Sequence, residues 1–217
     1  MKSQTFKNVQ IFGPFNSGTS LMARIMRYGL STPLHMKAAG GTHICKHTIK
    51  PHVLEENVRK HKDTLFICMY RPMAYWIESI SQNLDLNDLV WDKNPKSPCM
   101  FRNVKYDTIF HLHKAYYDAY RNICSKFDNV IWIEYNILIN KEISYQYLSN
   151  KLYKTNLQFK SKEKVISILE KPSKNINKEY GKNCDEALTY LKILKQKAIE
   201  NKYVFNRETK DFFELGL

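Results

Sequence analysis

Three short stretches of this chain carry residue types suited to handling an anion. The first is Gly13-Pro14-Phe15-Asn16-Ser17-Gly18-Thr19-Ser20, a tight loop of mostly small residues. Glycine adopts the backbone angles such a loop needs and lets an anion come close. The second is Lys46-His47, expected at the end of a strand over residues 42–48, THICKHT. A neutral imidazole accepts a proton near pH 7, and a neighbouring ammonium offsets developing negative charge. Read alone, the pair fits a hydrogen-bonded strand-end histidine beside a solvated lysine better than a catalytic pair. The third is Arg71, with Ser79 eight residues on. A guanidinium grips a phosphate through two parallel bonds, and a hydroxyl one helix face away can join it. Treated as helical, that offset brings Ser79 within about 80° of Arg71's direction, with Ser81 as a less favoured substitute.

These residues need elements to hold them. Val9, Ile11 and Phe12 read as a short buried strand before the loop, and Leu21, Met22, Ile25 and Met26 recur after it at helical spacing. Strand, glycine loop and helix together form a phosphate cradle, because the helix start offers unpaired N–H groups and a favourable dipole. A tight strand-to-helix turn with a serine cap is the plainer reading. Gly13-x4-Gly18 has the spacing of the triphosphate-binding P-loop, but Thr19-Ser20 stands where that loop has Lys-Ser or Lys-Thr. Without the lysine, the loop suits a nucleotide whose 5′ end is a single substituted phosphate.

Further along, residues 31–41 read as a loop, residues 51–62 as a helix, and TLFICMY at 64–70 as a strand covered on both faces. Arg71-Pro72 ends that strand, and a helix is expected over 73–84. Residues 86–105 read as a long loop, 107–127 as an amphipathic helix, 129–135 as a strand and 144–152 as a short helix. A polar stretch at 156–164, a short apolar segment at 165–169, a basic loop at 171–183 and a helix at 184–201 follow. Strands alternating with helices predict a single α/β domain over residues 1–217, with a mainly parallel sheet flanked by helices and a P-loop-like strand-loop-helix at its N-terminus. In such sheets ligands sit at the carboxyl ends of the strands, where all three stretches fall.

At 217 residues the chain can bury a sizeable core, and its net charge of +13 favours anionic ligands. Its lysines are spread rather than gathered into a basic tail. Five cysteines without a CxxC pair suit reduced thiols. Neither a signal peptide nor a stretch of transmembrane length is evident, so a cytoplasmic protein is expected. Alternation puts His43, Cys45 and His47 on one strand face, but no further ligand completes a set with recognised spacing, and no metal is expected.

Taken together, these stretches resemble the sulfotransferase family, whose donor is 3′-phosphoadenosine 5′-phosphosulfate (PAPS). The family's 5′-phosphosulfate loop commonly reads P-K-S-G-T-T, and residues 14–20, PFNSGTS, look similar with one extra residue. Its 3′-phosphate site is an arginine ending a strand and a serine eight residues later, as Arg71 and Ser79 stand here. A K-T-H segment supplies a catalytic histidine in many members, and Lys46-His47 resembles it. Residues 133–138, IEYNIL, resemble the Y-E-D-L segment near the adenine.

The resemblance implies cofactor contacts from Asn16, Ser17, Gly18, Thr19, Ser20, Arg71, Ser79, Tyr135, Ser173 and Lys174. It implies His47 as general base on an acceptor hydroxyl and Lys46 on the bridging oxygen. Asn16 stands where the family has its loop lysine, a task that Lys46 would take over. The expected partners are the nucleotide donor and a hydroxyl-bearing acceptor, with a basic surface favouring an acidic one such as a glycan. The rivals are a P-loop kinase or hydrolase, which should carry a loop lysine and an acidic strand-end Mg²⁺ ligand, and a non-catalytic basic nucleic-acid binder, which should show clustered Lys/Arg among exposed aromatics.

Overall fold

The structure, a computed structural model, describes residues 5–32, 34–36, 46–81 and 88–170. In chain order its strands are β1 (Asn8–Phe12), β2 (Thr64–Tyr70), β3 (Leu89–Val90), β4 (Cys99–Phe101), β5 (Val104–Tyr106) and β6 (Val130–Glu134). The helices are α1 (Thr19–Tyr28), α2 (Pro51–Lys60), α3 (Met73–Ser81), α4 (Ile109–Lys126), α5 (Tyr135–Leu138), α6 (Ser144–Leu152) and α7 (Lys162–Glu170). The chain divides into two compact units. One runs to Tyr70 and resumes at Asp118, and the other begins at Arg71 and runs to Tyr117 before resuming beyond the described residues.

The first unit is α/β: a three-stranded parallel sheet in the order β1-β2-β6, flanked by helices. Asn8 pairs with Thr64 and Phe12 with Cys68, while Phe66 pairs with Val130 and Tyr70 with Glu134. The central strand β2 is buried along its whole length, as expected of an unbroken apolar run covered on both faces. Strand alternation then divides the core. On one face Val9, Ile11, Ile67, Met69 and Ile133 pack with Met22, Ile25 and Met26 of α1, Leu148 and Leu152 of α6, and Val165 and Ile168 of α7. On the other, Phe12 stacks on Phe66 at 5.8 Å and lies 6.3 Å from Tyr120 of α4. There the buried Gln10 amide oxygen accepts a bond from Asn57 of α2 at 3.2 Å.

The second unit holds α3, the first half of α4 and a small antiparallel sheet in the order β3-β4-β5. That sheet corrects the expectation of a plain loop over residues 86–105. Its strands have only two or three residues each, too short for an alternating pattern to stand out. The β4–β5 turn is Arg102-Asn103, with φ of 50° and 64°, the left-handed pair of a tight hairpin. Arg102 is tied to Asp88 at 2.8 Å.

Two further expectations change. Residues 162–170 form one helix rather than a polar stretch followed by an apolar segment, because Lys162, Glu163 and Lys164 make an exposed first turn ahead of the buried Val165 and Ile168. Ser161 starts it by accepting the Lys164 N–H at 3.2 Å. Residues 46 and 47 lie in a turn rather than a strand. Residues 42–45 of that expected strand, the loop at 171–183 and the helix at 184–201 lie outside the described residues. No helix among the described residues is long and apolar enough to cross a membrane.

Ile25 is fully buried and Tyr28, on the same helix, is 51% exposed. Ile25→Ala is expected to lower the urea-unfolding free energy by about 2–5 kcal/mol, and Tyr28→Ala to change it by less than about 0.5 kcal/mol.

Candidate functional site

In the first unit, the Gly13 loop, Lys46-His47 and Tyr135 are brought together. The peptide groups of Gly13 are the junction. Its N–H donates to the Lys46 carbonyl at 2.9 Å, and its carbonyl accepts from His47 Nδ1 at 2.7 Å. A carbonyl cannot donate, so Nδ1 carries a proton, and in the neutral ring the lone pair then falls on Nε2. Phe15 packs against the His47 ring at 4.2 Å, and that histidine is 8% exposed. Lys46 is exposed.

The loop's shape follows from its glycines. A Cβ on Gly13 would come within 2.8 Å of Thr19 Cγ2 and 2.9 Å of Met69 Cβ, so only glycine lets the chain pass between β2 and the start of α1. Asn16 and Gly18 have φ of 55° and 88°, while Ser17 between them does not share that hand. The Ser17 N–H is itself taken by the Pro14 carbonyl at 3.3 Å, so the N–H groups left to face an anion are those at the start of α1. Ser17 is fully buried, and its hydroxyl donates to the Pro14 carbonyl at 2.7 Å, so it holds the loop closed. Gly18 is the N-cap of α1, with no side-chain capping bond and no acidic residue in the first turn. Thr19 is buried at that first turn and Ser20 is exposed. The helix dipole and its leading N–H groups therefore favour negative charge here.

Tyr135 lies over Gly18: a Cβ on that glycine would meet its ring. Beside it, Glu134 ends β6. Its N–H donates to the Tyr147 hydroxyl at 2.8 Å, and its Oε1 is buried without a hydrogen-bond partner. Burial pushes its carboxyl above the usual range, against a smaller opposite pull from Lys151.

In the second unit, Arg71 is half-buried and directly follows β2, so it stands two residues before α3 rather than on it. Helical periodicity therefore does not relate it to Ser79, which is half-buried within α3. Ser81 is ruled out as a substitute: it is fully buried and its hydroxyl donates to the Ile77 carbonyl at 2.7 Å. Ser173 and Lys174 lie outside the described residues. Among the described residues, no group of three or more His, Cys, Asp or Glu side chains is placed to hold a metal ion.

The residue that motif reading passed over is His113. It is 1% exposed and donates from Nε2 to the Arg71 carbonyl at 2.9 Å. Burial pulls its pKa down to about 4, against a smaller upward effect of that bond. A signal was available, since residue 113 is four past Ile109 and three before Tyr116 on the buried face of α4. The chain matches no protein-family model, no curated protein and no solved structure.

Two outcomes follow from this geometry. Gly18→Ala introduces both a strained φ and a collision with Tyr135, and is expected to cost about 1–3 kcal/mol in urea unfolding. Adding Tyr135→Ala should recover only the collision's share. His113 titrates near 6.5 in the unfolded chain and near 4 in the native one, so between these values the unfolded chain binds the extra proton. Its contribution is complete above pH 6.5 and falls as pH drops toward 4, by roughly 3 kcal/mol in all. Unfolding titrations at pH 7, 5.5 and 4.5 should show a smaller decline in His113→Gln than in wild type.

Proposed function

We propose that this protein is a sulfotransferase that moves a sulfuryl group from PAPS to an acceptor hydroxyl. The observation that carries the reading is the double bonding of Gly13 to residues 46 and 47. It supports the reading by tying a histidine, protonated on Nδ1, to the loop that leads into a helix start with no side-chain cap. An anion and the proton acceptor for its attacker are thereby served from one place.

The donor supplies an activated sulfuryl group on a 5′-phosphate. The backbone N–H groups of Gly18, Thr19 and Ser20 at the start of α1 receive the 5′-phosphosulfate, in a P-loop-like role without a loop lysine, while Ser17 holds the loop closed through its bonds to the Pro14 carbonyl. His47 Nε2 takes the acceptor's hydroxyl proton as the new oxygen–sulfur bond forms. The bond from sulfur to the bridging oxygen breaks, and its electron pair stays on the departing 5′-phosphate. Lys46 and the N–H groups at the start of α1 stabilise that charge. Positioning and charge stabilisation are all such a transfer asks of a protein, as in phosphoryl transfer. On the family resemblance, Arg71 and Ser79 take the 3′-phosphate, and the strand end before Tyr135 lies near the adenine. The net charge of +13 favours an acidic acceptor, with a glycan as the first class to screen.

One observation favours a second reading, a Mg²⁺-dependent nucleotide kinase or hydrolase. Glu134 is an acid at a strand end, where such enzymes place a metal ligand. Its burial weakens the case by disfavouring the charged form that would bind Mg²⁺.

Calorimetric titration separates the readings. 3′-Phosphoadenosine 5′-phosphate, the product nucleotide, should bind at least about tenfold tighter than AMP, and Arg71→Ala should erase that difference. ATP with Mg²⁺ should bind weakly. His47→Ala should keep product affinity while lowering PAPS turnover about 10²–10⁴-fold with a responding acceptor. Preference for ATP with Mg²⁺, or no nucleotide binding, would overturn the sulfotransferase reading.

A further inference from the structure

The inference concerns how the second unit holds Arg71, and it rests on the reading of Arg71 as a phosphate ligand. Arg71 sits where the sheet has stopped and α3 has not begun. Pro72 follows it, has no N–H and steers the preceding residue away from helical angles. The bonds that start α3 include the Trp76 N–H to the Pro72 carbonyl at 2.9 Å. The Arg71 carbonyl instead turns into the unit's interior and is met there by His113 Nε2–H at 2.9 Å. His113 comes from α4, and its ring lies 5.1 Å from the Trp76 ring of α3, which is itself fully buried. Trp76 in turn packs on Tyr116 at 6.4 Å, and Tyr116 on Phe101 of β4 at 5.7 Å.

An apolar ring would fill this place with less desolvation than an imidazole. What an apolar ring lacks is an N–H for the carbonyl. A long arginine side chain grips an anion through two bonds only if its backbone starts from a fixed point, because small displacements spoil the fork geometry.

We propose that His113 is the positioning residue of the Arg71 phosphate grip: its Nε2–H fixes the Arg71 carbonyl and thereby the launch point of the guanidinium. His113 touches no ligand in this account. Its effect is on discrimination between nucleotides with and without a 3′-phosphate, not on nucleotide binding as such.

The test compares affinities for 3′-phosphoadenosine 5′-phosphate and AMP in wild type, His113→Phe and His113→Gln. The ratio of the two affinities should fall about tenfold in His113→Phe and return in His113→Gln, which keeps a donor near the Nε2 position. A residue that merely supports the fold would lower stability in both variants and leave the ratio alone. An unchanged ratio in His113→Phe, or no recovery in His113→Gln, overturns the proposal while the sulfotransferase reading stands. A wild-type protein with no preference for the 3′-phosphate overturns both. If His113→Phe does not fold, the wild-type protein decides. The imidazole N–H resonance of His113 should move on adding 3′-phosphoadenosine 5′-phosphate and not on adding AMP. A resonance that ignores the 3′-phosphate contradicts the proposal.

Discussion

The two hydrogen bonds of Gly13 are the constraint on which the candidate site depends. One residue reaches partners more than thirty positions away in sequence, taking the Lys46 carbonyl on its N–H and the His47 ring on its C=O. Gly13 and His47 are buried, and a buried amide group left unpaired would cost about 1–3 kcal/mol. Together they determine where the 46–47 turn lies against the end of β1 and which ring nitrogen of His47 carries the proton. No side chain at position 13 is compatible with this, because Thr19 and Met69 crowd the place a Cβ would occupy.

The rest of the first unit serves that junction. β2 is buried on both faces and keeps Met69 beside Gly13, while α1, α6 and α7 cover one face of the sheet. Tyr135, directly after β6, closes over Gly18. The left-handed conformation at Gly18 is then held by packing as well as by residue type. A helix start with no side-chain cap and no acidic residue in its first turn favours negative charge through its N–H groups and dipole.

Much of this architecture was legible in the residues. The apolar–glycine–apolar order at 9–26 announced a strand, a loop and a helix, and the unbroken run at 64–70 announced a central strand. The i, i+3 and i+4 pattern of α4 marked its buried face, but His113 on that face was passed over, and nothing local revealed that its partner is the Arg71 carbonyl. Lys46-His47 could be recognised as reactive types, but its tautomer and its tie to Gly13 are long-range facts that no local pattern encodes. The small sheet at 89–106 escaped because its strands are shorter than one repeat of a readable alternation. α7 was missed because its polar first turn looked like a loop. Arg71 was legible as the residue that leaves β2, but the helical offset that related it to Ser79 does not apply, because Arg71 and Pro72 precede the helix.

The central claim is that His47 is a proton acceptor of fixed tautomer at the anion cradle. The most direct measurement is a nitrogen–proton correlation spectrum of the histidine rings at neutral pH, with and without the product nucleotide. The account predicts that His47 is protonated on Nδ1 with a lone pair on Nε2, and that binding shifts the Nε2 resonance while leaving the tautomer unchanged. A proton on Nε2, or a His47 ring indifferent to the bound nucleotide, would contradict it.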